Sequence, residues 1–134
     1  MITAIDHFVL TVRSVEETIA FYQRVLGIGH EREPDRPVAL RFGEQKINLH
    51  QTDRTFEPKA SEPTPGAGDF CLVSDQPIEE TLDRLEREGV AIEFGPVDRQ
   101  GARGPMISVY FRDPDGNLIE VGHYPQSTPA PTTA

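Results

Sequence analysis

Tyr110-Phe111-Arg112-Asp113-Pro114-Asp115-Gly116-Asn117-Leu118-Ile119-Glu120-Val121 decides the fold. Two extended runs, Ile107–Phe111 and Asn117–Val121, flank the break Asp113-Pro114-Asp115-Gly116. Proline presets φ there, glycine accepts positive φ, and aspartate side chains accept hydrogen bonds from nearby backbone donors, so the break reads as a turn and the whole as a hairpin. Glu120 then falls inside an apolar strand, where a carboxylate is costly unless it is paired or bound to a cation.

Working outward, Asp69–Val73 reads as a strand and Pro77–Glu88 as a helix whose buried stripe is Ile78, Leu82 and Leu85. Strands near Ala91–Val97, Met106–Phe111 and Leu118–His123 complete a βαβββ unit. The same order precedes it. Ile5–Val12 is a strand, and Ser14 with Glu17 forms a capping box for a helix that Gly27 ends. Strands follow near Ile28–Glu33, Val38–Phe42 and Lys46–Gln51, with Gly43-Glu44-Gln45 as a turn. Residues 52–68, broken by Pro58, Pro63, Pro65, Gly66 and Gly68, form a connector. His7-Phe8-Val9-Leu10 lies over Asp69-Phe70-Cys71-Leu72, and Val15-Glu16-Glu17-Thr18-Ile19 over Ile78-Glu79-Glu80-Thr81-Leu82, while His50 falls near Glu120 at the end of each half. These matches indicate a duplicated unit. The expected fold is α+β: two βαβββ modules, 1–51 and 69–124, in one domain, forming a curved mixed-sheet cup with helices outside. Residues 125–134, rich in Pro, Thr, Ser and Ala, read as a disordered tail.

A chain of 134 residues with a formal charge of −9 is a poor partner for nucleic acid or an anionic membrane. It has no apolar run of membrane-spanning length and no signal-peptide pattern, and Cys71 is its single cysteine, so the expected setting is cytoplasmic.

The four matched polar positions, His7, His50, Asp69 and Glu120, lie in the first and last strands of each half. By period two they point away from the helices. Two imidazoles and two carboxylates on that face make a divalent-metal site, with Zn, Ni, Mn or Fe as candidates. Singly, each has a structural alternative: a hydrogen-bonded strand histidine, a strand-capping Asp69, or Glu120 paired with Arg41 or Arg112.

Ile5-Asp6-His7 and Asp113-Pro114-Asp115-Gly116-Asn117-Leu118-Ile119-Glu120, set in paired βαβββ modules, resemble the vicinal-oxygen-chelate superfamily of glyoxalases, extradiol dioxygenases and bleomycin- and fosfomycin-resistance proteins. Within it, Asn48-Leu49-His50, Phe56-Glu57-Pro58-Lys59-Ala60 and Gly104–Arg112 resemble the group of glyoxalase-domain-containing protein 5. The resemblance implies a metal that chelates two neighbouring substrate oxygens and acts as a Lewis acid. It also implies a homodimer in which modules pair within or between chains. Glu120 and Asp69 are the candidate catalytic carboxylates, Asp69 as fourth ligand or as a base working through water. A fourth ligand favours lyase or isomerase chemistry over dioxygenase chemistry, which needs an open face on Fe(II). A resistance protein that binds an antibiotic without turnover is the other alternative.

For the substrate, period two puts Thr11, Asn48 and Cys71 on the ligand face, Cys71 being a cavity wall rather than a ligand. Ser108 and Tyr110 resemble a Ser-x-Tyr of fosfomycin enzymes. Arg103, in a flexible loop Gly101–Pro105, is either an anion contact on a lid or the tip of a hairpin.

Overall fold

The computed structural model describes residues 1–125. Its elements run β1 His7–Val12, α1 Val15–Leu26, β2 Gly29–Glu31, β3 Val38–Phe42, β4 Gln45–Gln51, β5 Asp69–Val73, α2 Ile78–Arg87, β6 Phe94–Gly101, β7 Gly104–Arg112 and β8 Leu118–His123. The order is βαβββ twice, an α+β fold. Two four-stranded sheets result, ordered β1-β4-β3-β2 and β5-β8-β7-β6, and in each the first and last strands of the module lie side by side in parallel. The expected tail lies, but for Pro125, outside the described residues.

Two compact units emerge: Met1–Gly68 with Asp113–Asn117, and Asp69–Arg112 with the chain from Leu118. In the first, Ser14 caps α1 by accepting the Glu17 N–H at 3.1 Å, and Gly27 ends it at φ 68°. The helix packs on β2, β3 and β4. Tyr22, Val25, Val12, Leu40, Ile47 and Leu49 form its core, each at most 1% exposed. Burying such side chains contributes about 1.5–3 kcal/mol apiece. In the second unit α2 packs on β7 and β8, over Leu85, Val109, Phe111 and Ile119.

The turn Asp113–Asn117 belongs to the first unit because its polar side chains bond there. Tyr22 donates its hydroxyl to Asp113 Oδ2 at 2.8 Å, Arg13 donates its backbone N–H and Nη1 to Asp115 Oδ1, and Gly68 donates its N–H to Asn117 Oδ1 at 2.7 Å. Burial, then the adjacent Asp113, raises the Tyr22 phenol above its usual range. Asp113 Oδ1 also accepts the backbone N–H groups of Asp115 and Asn117, the local capping expected of the turn.

The largest differences from expectation are in the β6–β7 hairpin. The strand placed at Ala91–Val97 begins at Phe94 and runs to Gly101, and Gly101 pairs with Gly104. The flexible loop expected at Gly101–Pro105 is therefore a two-residue hairpin turn, Ala102-Arg103. Alternation across the glycines extends both strands to their tips, so no length remains for a lid.

Candidate functional site

In each unit, one sheet face carries the apolar residues under the helix and the other carries the polar ones. We call the second the far face. In the first sheet His7 is opposite Lys46, Val9 opposite Asn48 and Thr11 opposite His50. Neighbouring strands share faces at paired positions, so all six side chains lie on the far face. His7 is exposed, and Asp6 Oδ1 lies 2.7 Å from its Nδ1. In a neutral ring, donation from Nδ1 to the carboxylate leaves the lone pair on Nε2, the arrangement that metal-binding histidines use. The same bond lowers the pKa of Asp6.

In the second sheet Asp69 is opposite Leu118 and Cys71 opposite Glu120. Tyr110 flanks Glu120 on its other side. The two candidate cations for Glu120 are engaged elsewhere. Arg112 makes a two-pronged bond to Glu93, with Nε at 2.9 Å and Nη2 at 2.8 Å, and Arg41 reaches Glu31 at 3.4 Å. Among the described residues neither Glu120 nor Asp69 has an ion-pair partner. Burial and then the Glu120 charge push the Cys71 thiol up to about 12, so it is a neutral wall at physiological pH and not a thiolate ligand.

The registers correct one match drawn from sequence. Glu120 stands two residues beyond the partner of Asp69, and the residue two beyond the partner of His7 is Asn48, not His50. The correspondence was visible as Ile47-Asn48-Leu49 against Ile119-Glu120-Val121, a polar residue between two apolar ones. His50 lies four residues from the His7 level, about 13 Å along the strand, whereas Asp69 and Glu120 are offset by only about 7 Å. His7 and His50 of one sheet therefore do not meet at one ion. Among the described residues no group of three or more His, Cys, Asp or Glu is gathered as an ion would need.

His50 is instead enclosed. It is 4% exposed, its ring lies 5.5 Å from that of Phe56, and its Nδ1 has no hydrogen-bond partner among the described residues. Desolvation, then the Lys59 charge, lowers its pKa. Lys59 is held by Glu57 and Thr55 in the connector. Asn48 Oδ1, two residues away on the same face, is likewise buried and unpartnered. Thr11, opposite His50, is buried.

A buried neutral histidine sets a pH dependence. Its folded pKa lies below the unfolded value, so the unfolded chain takes up the proton first and stability falls as pH drops below about 6.5. The urea midpoint of the wild type should fall between pH 7.5 and pH 5.5, and that of His50→Gln should fall less. Equal falls would show that His50 is not the group titrating.

Of the other expected contacts, Ser108 is fully buried with an unpartnered Oγ, and Tyr110 lies on the far face beside Glu120. Arg103 stacks over Tyr124 at 4.3 Å and donates its N–H to the Tyr124 hydroxyl. A residue missed in the sequence is Arg99, on the far face of β6, which the longer strand brings into alternation with Val97.

The family model of the glyoxalase/bleomycin resistance protein/dioxygenase superfamily matches residues 4–121. The chain belongs to this superfamily. It is 49% identical over 92% of its length to virulence protein STM3117 of Salmonella typhimurium, of which it covers 86%. The crystal structure of that protein superposes with a TM-score of 0.90 over 93% of this chain and 99% of the other. It is 45% identical to the glyoxalase domain-containing protein RDO1 of Mycosarcoma maydis, over 92% of this chain and 69% of the relative. Lactoylglutathione lyase from Agrobacterium tumefaciens superposes with a TM-score of 0.67 at 29% identity, over 90% of this chain and 93% of the other. For a superfamily member, a divalent ion on the far-face residues is the arrangement to test against the donor set. His7 and the unpartnered Asn48 oxygen on the first sheet, and Asp69 and Glu120 on the second, are each of a donor type that a divalent ion takes.

Proposed function

We propose that the protein is a metal-dependent cytoplasmic enzyme of vicinal-oxygen-chelate type, with lyase or isomerase chemistry on a small substrate bearing adjacent oxygens. The observation that carries this reading is the matched register: His7 and Asn48 of one module stand where Asp69 and Glu120 stand in the other. His7, Asp69 and Glu120 are the proposed ligands of one Zn, Ni, Mn or Fe ion, and Asn48, a neutral amide at the fourth equivalent position, contacts substrate or bound water. The ion supplies Lewis-acid stabilisation of an enolate or oxyanion when bound.

The chain's own groups do the rest. Asp6 orients His7. Asp69, shorter by a methylene than glutamate, is either a ligand or a base that takes a proton through water. His50, enclosed by Phe56 and opposite Thr11, is reassigned from ligand to substrate contact, and Ser108, Tyr110 and the Cys71 wall line the other sheet's far face. A homodimer is part of the reading. The resemblance to the superfamily is what supports it. The finer likeness to glyoxalase-domain-containing protein 5 rests on the stretches quoted above.

The test is reconstitution of metal-free protein with each ion. The product is assayed with the adduct of methylglyoxal and glutathione, with other α-hydroxycarbonyl compounds and, under oxygen with Fe(II), with catechols. One ion per chain and turnover abolished by chelation support the reading. Oxygen uptake with ring-cleaved product, seen only with Fe(II), would replace lyase chemistry by dioxygenase chemistry. Retained ligand binding without turnover under every metal would leave a binding protein. A fully metallated monomer by sedimentation at micromolar concentration would remove the dimer.

A further inference from the structure

On the far face of the second sheet Arg99 makes no ion pair among the described residues. Arg99 Cζ lies 5.4 Å from the ring centroids of both Phe94 and Tyr110, and its Nε donates to the Tyr110 hydroxyl at 2.8 Å. Its remaining printed bond is a long one, Nη1 to Asp98 O at 3.5 Å. Arg13, Arg32, Arg36, Arg41, Arg112 and Lys59 each find a carboxylate. Among the described residues Arg99 does not, nor do Arg54, Arg84, Arg87, Arg103 and Lys46, but Arg99 alone of these lies on the far face of the second sheet beside Tyr110 and Glu120.

Two aromatic faces and a phenol oxygen restrict the guanidinium to one orientation, removing in advance part of the entropy that a flexible arginine loses on binding. The bond from Nε uses an acceptor site of the Tyr110 oxygen and leaves its O–H proton to be donated. Nη2 and that O–H are then two donors side by side. Tyr110 is paired with Phe94 on one side and Glu120 on the other, so both donors stand on the face that bears the Glu120 carboxylate. Ser108, two residues along β7 on the same face, adds a fully buried hydroxyl without a partner. A pair of donors, one charged, matches the two oxygens of a carboxylate or the oxygens of a phosphonate.

We propose that Arg99 and Tyr110 form an anion subsite, so that the substrate carries a carboxylate or similar oxyanion in addition to its adjacent oxygens. The subsite takes from the proposed function only that the Glu120 face receives substrate. It needs no metal, and its test is made on metal-free protein.

The probe is malonate, with uncharged malonamide as control, titrated into ¹⁵N-labelled protein while the Arg99 Nε–Hε signal is followed; its absence from Arg99→Lys assigns it. Malonate should move that signal and the Tyr110 ring signals, and malonamide should not. Arg99→Gln should weaken malonate binding by about tenfold or more, as loss of a charge-assisted bond implies, and Tyr110→Phe by less. Arg87→Gln, on α2, should leave binding unchanged. Should Arg99→Gln fail to fold, the wild-type signals decide alone. No shift at Arg99, an equal shift with malonamide, or full malonate affinity in folded Arg99→Gln would overturn the subsite. Malonate binding to protein that takes up no metal would uphold the subsite while sinking the metal reading.

Discussion

Asp113→Ala lowers the stability of the protein by about 3 kcal/mol or more, the largest effect expected from a single change outside the candidate site. Asp113 is 5% exposed and its carboxylate accepts four hydrogen bonds. Oδ1 takes the backbone N–H groups of Asp115 and Asn117, and Oδ2 takes the Tyr22 hydroxyl and Asn117 Nδ2. Alanine removes every acceptor and leaves the donors in place. Tyr22 is fully buried and Asn117 is 1% exposed, so water does not readily replace the lost bonds. A buried donor left unsatisfied costs about 1–3 kcal/mol, which is why the sum exceeds any one bond. Tyr22→Phe removes a single donor along with its need for an acceptor and should cost only about 1 kcal/mol. Urea unfolding of the two variants side by side checks this ordering. If Asp113→Ala cost no more than Tyr22→Phe, the turn would not be the anchor its bonds describe.

That anchor shows what can and cannot be read from a sequence. The elements were legible because their signals are local: a serine cap three residues before a glutamate, a glycine after the last helical turn, alternation in the strands. The duplication was legible because Glu-Glu-Thr recurs in the same place. Register is different. Whether Asn48 or His50 corresponds to Glu120 depends on which residues of two strands lie opposite, and a histidine attracts a metal-ligand reading that an asparagine does not. The flanking apolar residues held the answer, but only the pairing of β1 with β4 and of β5 with β8 makes the choice between them. Arg99 was hidden for a related reason. With β6 drawn too short, it fell outside any strand and its face had no meaning. Arg103 drew attention as the cation of a glycine-rich loop, yet that loop is a tight turn and its arginine lies on Tyr124.

Glu120→Gln should lower metal affinity by more than about 100-fold and remove turnover with it, since even partners of ligands cost 10–100-fold when lost. The substitution keeps the size of the side chain and its place between Cys71 and Tyr110, so packing against β5 and β7 is preserved. What changes is charge and donor strength. A glutamine oxygen is a weak ligand for a divalent ion, and the amide adds N–H donors where an acceptor is wanted. The thermal midpoint of the metal-free variant should match or exceed that of metal-free wild type, because a half-buried carboxylate with no cation among the described residues carries a desolvation cost that the amide lacks. Stability retained while metal is lost separates a ligand from a structural residue. His7→Ala should lose metal in the same way, while His50→Gln should keep it, because the register holds His50 about 13 Å along the sheet from His7. Elemental analysis of the three variants after identical loading decides the matter: full metal content in Glu120→Gln would remove Glu120 from the ligand set, and metal lost from His50→Gln but kept by His7→Ala would reverse the assignment of the two histidines.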